Sequence, residues 1–234
     1  MPEKNADTSV ILVCAGNASR MGGVNKILMP LKDTTVIGVC MSAFQNCPDI
    51  AEIIIVTKPE NFQPIQEIAD TLNISKLSHL TEGGDTRQQS VMKGLKLVSK
   101  DSSYIAVHDG ARPLVKTEHI SKVIQDARVF GGATLGVPVK DTIKVVDSGL
   151  ITDTPPRSSL WMTQTPQVFR KRLYFEAVDF ALEHNLDFTD DCQLVEAVEL
   201  FDQVIIPSVG TTQLLGHGVR IVERRQRPRR IKGA

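Results

Sequence analysis

The sequence predicts an α/β fold, with a mostly parallel sheet covered by helices on both faces. Three observations predict it. Ser9–Ala15 and Glu52–Thr57 are apolar almost throughout and rich in β-branched residues, which suits strands buried on both sides. Segments with helical spacing alternate with such strands from Ser9 to Val139. The 234-residue chain is 41% hydrophobic, enough to build one sizeable core.

The elements follow in order. Ser9–Ala15 is the first strand and Thr35–Phe44 the first helix. Glu52–Thr57 is the second strand; after Pro59 a helix runs to about Leu72. Ile74–Thr81 is a weaker third strand. Thr86–Val98 is helical, with Val91, Leu95 and Val98 on one side. Tyr104–His108 is a strand ending in Asp109. Thr117–Phe130 is a helix with Thr117 as its expected N-cap, and Ala133–Val139 is another strand. Asp141–Pro166 then breaks the rhythm. Its apolar stretch, its Ser148-Gly149 turn and its return through Arg157 and Trp161 read as a two-stranded arm at about 141–164, within a single domain spanning 1–234. An isolated hairpin is marginal in water and needs a second surface. A twofold-related copy of the chain would supply one, giving a homodimer in which the arm crosses over. The alternative is a hairpin folded back on its own domain. Beyond Gln167 the pattern assigns no element.

Charge narrows the function. Lys+Arg and Asp+Glu balance at 27 each, so the chain as a whole has no electrostatic footprint for nucleic acid. The segment 207–234 is an atypical basic tail holding Arg224, Arg225, Arg227, Arg229 and Arg230. No aromatic residues accompany it for base stacking, so no nucleic-acid partner is expected. No apolar run suits a signal peptide or a bilayer span. A cytoplasmic protein without a membrane partner is expected. The spacing of Cys14, Cys40, Cys47 and Cys192 fits no zinc site, and buried reduced thiols are expected.

The first strand runs into Cys14-Ala15-Gly16-Asn17-Ala18-Ser19-Arg20-Met21-Gly22-Gly23-Val24-Asn25-Lys26. Small residues let a backbone approach a ligand closely, and free N–H groups in such a turn form an anion-binding nest. Arg20 and Lys26 add two cations, a combination suited to a nucleoside triphosphate. Parallel sheets bind ligands beyond the carboxyl ends of their strands. This loop, Gly83-Gly84-Asp85 and Asp109 all lie at that end, so three loops converge on one crevice.

Together these motifs resemble the 2-C-methyl-D-erythritol 4-phosphate cytidylyltransferase family of the non-mevalonate isoprenoid pathway. The match runs from about Ser9 to about Glu196. It rests on the Ala15–Lys26 loop, Gly83-Gly84-Asp85-Thr86-Arg87-Gln88-Gln89-Ser90, His108-Asp109-Gly110-Ala111-Arg112-Pro113, Asp141-Thr142-Ile143-Lys144, Arg157, Gln164-Thr165-Pro166-Gln167 and Thr189-Asp190-Asp191. The resemblance implies a Rossmann-like nucleotidyltransferase domain, a three-layer sandwich with a protruding β-arm. It also implies a magnesium requirement, an arm-exchanged homodimer, and transfer of CMP from CTP to a sugar-alcohol phosphate with release of pyrophosphate. Arg20, Lys26 and Arg157 are the implied catalytic residues. Ala15, Gly16, Gly84, Asp85, Ser90 and Asp109 are implied at the CTP site. Arg112, Thr142, Arg157, Thr165 and Thr189 are implied at the second-substrate site. Asp109 is a candidate magnesium ligand, while His108 beside it reads as structural. Ser90 could instead be an ordinary helix-surface serine. No general base is assigned.

Two departures from the family pattern stand out. Asn25 occupies the place of the family's usual proline, whose fixed φ would stiffen the loop; a more mobile loop is expected. Phe201–Thr212 stands where the family has a short closing strand, and no lysine lies between Lys171 and Lys232, so the family's late lysine has no counterpart. Gln213 falls at roughly that place. The altered end is either a lineage variant or the product of a shifted reading frame, and CTP binding is expected to survive it better than turnover. Two other functions remain open: a ribitol 5-phosphate cytidylyltransferase, and a CTP-binding dimer with impaired catalysis.

Overall fold

The computed structural model describes residues 6–16, 25–205 and 219–223, the last five and 199–205 by backbone alone. The first described elements are β1 (Thr8–Val13) and a small hairpin of β2 (Pro30–Leu31) and β3 (Thr34–Thr35). Then come α1 (Val36–Gln45), β4 (Ile50–Thr57), α2 (Phe62–Thr71), β5 (Leu77–Glu82), α3 (Arg87–Leu95), β6 (Tyr104–Asp109), α4 (Thr117–Phe130) and β7 (Gly132–Pro138). The arm is β8 (Val145–Asp147) and β9 (Leu150–Asp153). It is followed by β10 (Trp161–Arg170), α5 (Lys171–Glu183), α6 (Asp191–Ile205) and β11 (Val219–Glu223).

Among the described residues seven strands form one sheet in the order β11-β7-β10-β6-β1-β4-β5. The β5-β4-β1-β6 block is parallel, as is β11 on β7, and β10 alone runs against its two neighbours. Alternation along β1 explains its continuous apolar run. Val10 and Leu12 point to the face carrying α1, α2 and α4, and Ile11 to the face carrying α3, α5 and α6. Each face has its own core, with Phe44 and Ile124 on one side and Phe169 and Tyr174 on the other. The predicted three-layer α/β sandwich is therefore observed.

Several expectations change in detail. Thr117 does not cap α4: Lys116 holds that position without a side-chain cap, and the Thr117 hydroxyl instead donates to the Ala43 carbonyl at 3.0 Å, tying α4 to α1. The hairpin ends at Asp153, and from Trp161 the chain is back in the main sheet, paired with Pro138. Its turn uses Ser148 and Gly149 at φ 49° and 82°, the left-handed pair that suits a two-residue hairpin. Of Phe201–Thr212, α6 takes the part up to Ile205 and the rest lies outside the described residues; β11 is a described edge strand beyond it.

Candidate active site

The strand order reverses beside β1. The connection from β1 leads to β4 on one side, and the chain later returns to β6 on the other. Such a switch point opens a crevice beyond the carboxyl ends of the strands. The ends are level: Val13 pairs with Asp109 across β1 and β6, and with Val56 across β1 and β4.

Close packing holds the three loops together there. A Cβ on Gly83 would lie 2.2 Å from the Ala15 Cβ, and one on Gly110 would lie 2.2 Å from the Cys14 Sγ. Only glycine permits either approach, so the Gly83–Asp85 and Asp109–Arg112 loops both rest on the first loop. Gly83 N–H donates to the Thr57 carbonyl and Gly110 N–H to the Val13 carbonyl, each at 3.0 Å. Gly16 has open space where a Cβ would stand, with no described atom within 4 Å. Lys26 is half-buried and opens a short 3-10 turn, Lys26–Leu28. Arg20 lies outside the described residues.

Ser90 is 2% exposed, which removes the surface-serine reading. Its hydroxyl accepts from Gly84 N–H at 3.0 Å and donates to the Thr86 carbonyl at 2.9 Å, shaping the loop that carries Asp85. Asp85 is exposed, and its own N–H is held by Gln89 Oε1 at 2.9 Å.

Asp109 is the electrostatic centre. Its carboxylate meets Arg112 Nε at 2.9 Å and Arg87 Nε at 3.5 Å, and its N–H donates to Thr165 Oγ1 at 3.2 Å. Arg112 and Thr165 of the expected second-substrate set are thus joined to Asp109 directly. Arg87 also donates to Asp191 Oδ2 at 2.7 Å. Burial works against the Arg87 charge, but Asp191, with Asp109 behind it, outweighs burial and holds the guanidinium charged more firmly than usual. His108 is fully buried, and burial drives its pKa down to about 4, so the ring is neutral at ordinary pH. Its Nε2 lies 3.2 Å from the Arg112 carbonyl, a contact only an Nε2–H can make as a hydrogen bond. The structural reading of His108 therefore holds. Burial, helped by Asp109, pushes the Cys14 thiol up to about 12, which keeps it from acting as a thiolate nucleophile. All four cysteines are buried and unpaired, as expected.

Thr189 is exposed beside Asp190, whose carboxylate accepts from the N–H groups of Cys192 and Gln193 at the start of α6. Gln167 donates to Asp190 at 2.6 Å and accepts from Asp191 N–H at 3.0 Å, linking that corner to β10 two residues past Thr165. Thr142 and Arg157 stand apart on the exposed arm, where Arg157 donates to the Lys140 carbonyl at 2.8 Å. Arg87, Gln88 and Gln167 fell within the quoted motifs without a role and Asn61 was not named; their bonds to Asp191, Leu186, Asp190 and Asn25 join residues distant in the chain. The Asn25 side-chain amide donates to Asn61 Oδ1 at 2.6 Å, while residues 17–24 of the loop it closes lie outside the described residues.

Among the described residues no three His, Cys, Asp or Glu side chains cluster as a metal cage, and no helix is long and apolar enough to cross a membrane. The Asp109 carboxylate is about one-third exposed and has lone pairs beyond those its two arginines use. It fits a cation held by one carboxylate and by substrate phosphates.

Comparison with known proteins agrees with this geometry. The family model for 2-C-methyl-D-erythritol 4-phosphate cytidylyltransferase matches residues 8–211, well past the Glu196 limit read from the motifs. A protein of that name from Caldanaerobacter subterraneus subsp. tengcongensis is 42% identical over 81% of this chain and 85% of its own length. One from Desulforamulus reducens is 42% identical over 80% and 82%. The crystal structure of a 4-diphosphocytidyl-2C-methyl-D-erythritol synthase from Anaerococcus prevotii superposes with a TM-score of 0.75 at 26% identity, covering 92% of this chain and 86% of that one. The loops at the switch point, the extent of the family match and these likenesses place this chain in the 2-C-methyl-D-erythritol 4-phosphate cytidylyltransferase family of nucleotidyltransferases.

Proposed function

We propose that the crevice at the β1–β6 switch point carries out this family's reaction: transfer of CMP from CTP to 2-C-methyl-D-erythritol 4-phosphate in isoprenoid precursor synthesis. The observation that carries the reading is the packing of the first loop, the Gly83–Asp85 loop and the Asp109–Arg112 loop onto one another beside two arginines and one carboxylate. A phosphate oxygen of the acceptor attacks the α-phosphorus of CTP. The bond from that phosphorus to the bridging oxygen breaks, leaving pyrophosphate and the diphosphocytidyl product. A phosphate monoester, with its second pKa near roughly 6, is already anionic at neutral pH, so no general base is required.

Negative charge builds on the α-phosphoryl oxygens and on the departing pyrophosphate. Arg20 and Lys26 stabilise it there more than in the ground state. Ala15 and Gly16 bring backbone N–H groups to the triphosphate, while Gly84, Asp85 and Ser90 form the cytosine end. An arginine fork suits a phosphate monoester, so Arg112 with Thr165 and Thr189 takes the acceptor. Thr142 and Arg157 reach a partner's acceptor site in an arm-exchanged homodimer. Magnesium fits at Asp109 together with the substrate phosphates, and when bound it neutralises triphosphate charge. The buried free thiols are in keeping with a cytoplasmic setting.

The test is pyrophosphate release with CTP, magnesium and either methylerythritol phosphate or ribitol 5-phosphate. Turnover is expected with the first acceptor. Arg20→Ala and Lys26→Ala should each lower kcat roughly a hundredfold to a thousandfold, the scale of losing one preorganised donor. Unchanged turnover in both variants overturns the site.

A further inference from the structure

Lys26 is tied to the sheet by a relay of side-chain amides. Asn25 Nδ2 donates to Asn61 Oδ1 at 2.6 Å, and Asn61 Nδ2 donates to Thr57 Oγ1 at 2.9 Å. Asn61 is 3% exposed and Thr57 fully buried. Thr57 ends β4, and its carbonyl accepts from Gly83 N–H, so one residue anchors two of the loops around the crevice.

The two asparagines are unusual in what they leave undone. Asn25 sits at the N-cap of the short turn Lys26–Leu28, where asparagine ordinarily accepts from its own helix, and Asn61 closes the 3-10 turn Pro59–Asn61 that runs into α2. Neither makes a side-chain cap. Their amides bond to each other instead, across 36 residues of sequence. A buried amide with both donor and acceptor engaged is a fixed support, and it holds the exposed Asn25 in one orientation. Asn25 has φ −72°, within the range a proline ring would impose.

We propose that Asn61 is a positioning residue: through Asn25 it fixes the backbone on which Lys26 stands, doing by hydrogen bonds what a ring constraint would do covalently. This rests on the assignment of Lys26 to the triphosphate. A cation aimed at the transition state loses its value when its mount moves, so the relay governs kcat more than KM for CTP.

The experiment is a double-mutant cycle on the full chain, reading kcat and the CTP KM separately. Asn25→Ala, at an exposed position, and Asn61→Ala should each lower kcat about tenfold, within the range that small misplacements of catalytic groups produce, and shift the CTP KM by less than about twofold. In an Asn25→Pro background the kcat cost of Asn61→Ala should shrink at least about threefold, because the backbone no longer depends on the relay. An undiminished cost in that background, a loss falling on KM alone, or wild-type kcat in Asn25→Ala overturns the proposal. Lys26→Ala runs alongside. If it retains full turnover, the assignment of Lys26 fails; if it is inactive while Asn25→Ala and Asn61→Ala behave as wild type, only the relay fails.

Discussion

The imidazole of His108 sits between two demands. It must be buried against Phe44, whose ring lies 5.0 Å away edge-on, and it must hold the Arg112 carbonyl so that the loop from Asp109 to Arg112 keeps its turn. A neutral ring meets both, and burial keeps it neutral down to about pH 4 against an ordinary 6.5. The consequence for stability has a definite sign. Between those two pH values the unfolded chain binds a proton that the folded chain does not, so stability falls as pH drops from 6.5 towards 4. The loss attributable to this residue reaches roughly 3 kcal/mol at the acid end. His108→Gln keeps an N–H for the Arg112 carbonyl and does not titrate. Urea unfolding at about pH 7 and about pH 4.5 should therefore show a smaller acid loss for His108→Gln than for the parent. Equal losses would place the acid sensitivity elsewhere. The neighbouring Asp109 shows what single residues revealed in advance and what they hid. Its place at a strand end marked it as functional. That it is shared by Arg87 and Arg112 was not legible, since Arg87 reaches it from another element.

Helix α3 does at the scale of an element what Asp109 does at the scale of a residue. Thr86 caps it by accepting from Gln89 N–H at 3.1 Å. Arg87 binds Asp109 and Asp191, Gln89 and Ser90 shape the Gly84–Asp85 loop, and Lys93 donates to the Gly83 carbonyl at 2.6 Å. Gln88 reaches furthest: its amide donates to the Leu186 carbonyl at 3.1 Å and accepts from Phe188 N–H at 2.8 Å. It thereby clamps the segment that leads into Thr189. Gln88→Ala should free that segment without touching the nucleotide loop, so KM for the acceptor phosphate should rise about threefold to tenfold, the scale of roughly 1 kcal/mol, with the CTP KM unchanged. Steady-state kinetics with each substrate varied in turn decides this; parallel rises in both KM values would refute it. The motif around α3 was visible in the sequence, but its clamps close across 98 to 104 residues, a separation that local periodicity does not report. Strands β1, β4 and β6 were legible because burial on both faces writes an unbroken apolar run. By contrast, β10 was hidden: it passes through the polar Gln164-Thr165-Pro166-Gln167, and its pairing with β7 shifts register between Thr163 and Gln167. Thr117 had the chemistry of a cap, yet a tertiary partner, the Ala43 carbonyl, took its hydroxyl.

For the whole molecule, the arm is the feature that one protomer leaves unresolved in energy. Leu150, Ile151 and Val146 are 72%, 63% and 56% exposed along a two-stranded ribbon that pairs with no other strand among the described residues. Apolar side chains gathered on such an extension call for a covering surface. A crossed-over dimer would cover them and deliver Thr142 and Arg157 to the neighbouring crevice; a folded-back arm would deliver them to its own. The two arrangements make opposite predictions for mixed dimers. Lys26→Ala and Arg157→Ala should each be inactive alone. In a dimer of one of each, the Arg157→Ala protomer keeps an intact nucleotide loop and, with crossed arms, receives an intact Arg157 from its mate. That site is whole, while the other carries both lesions. Random reassociation of equal amounts makes half of the dimers mixed, each with one good site, so activity should recover to about a quarter of the parent's. Folded-back arms put one lesion in every site and no activity returns on mixing. Denaturing and refolding the two variants together, then assaying pyrophosphate release against each refolded alone, distinguishes the two, because recovery requires that a single active site be built from two chains.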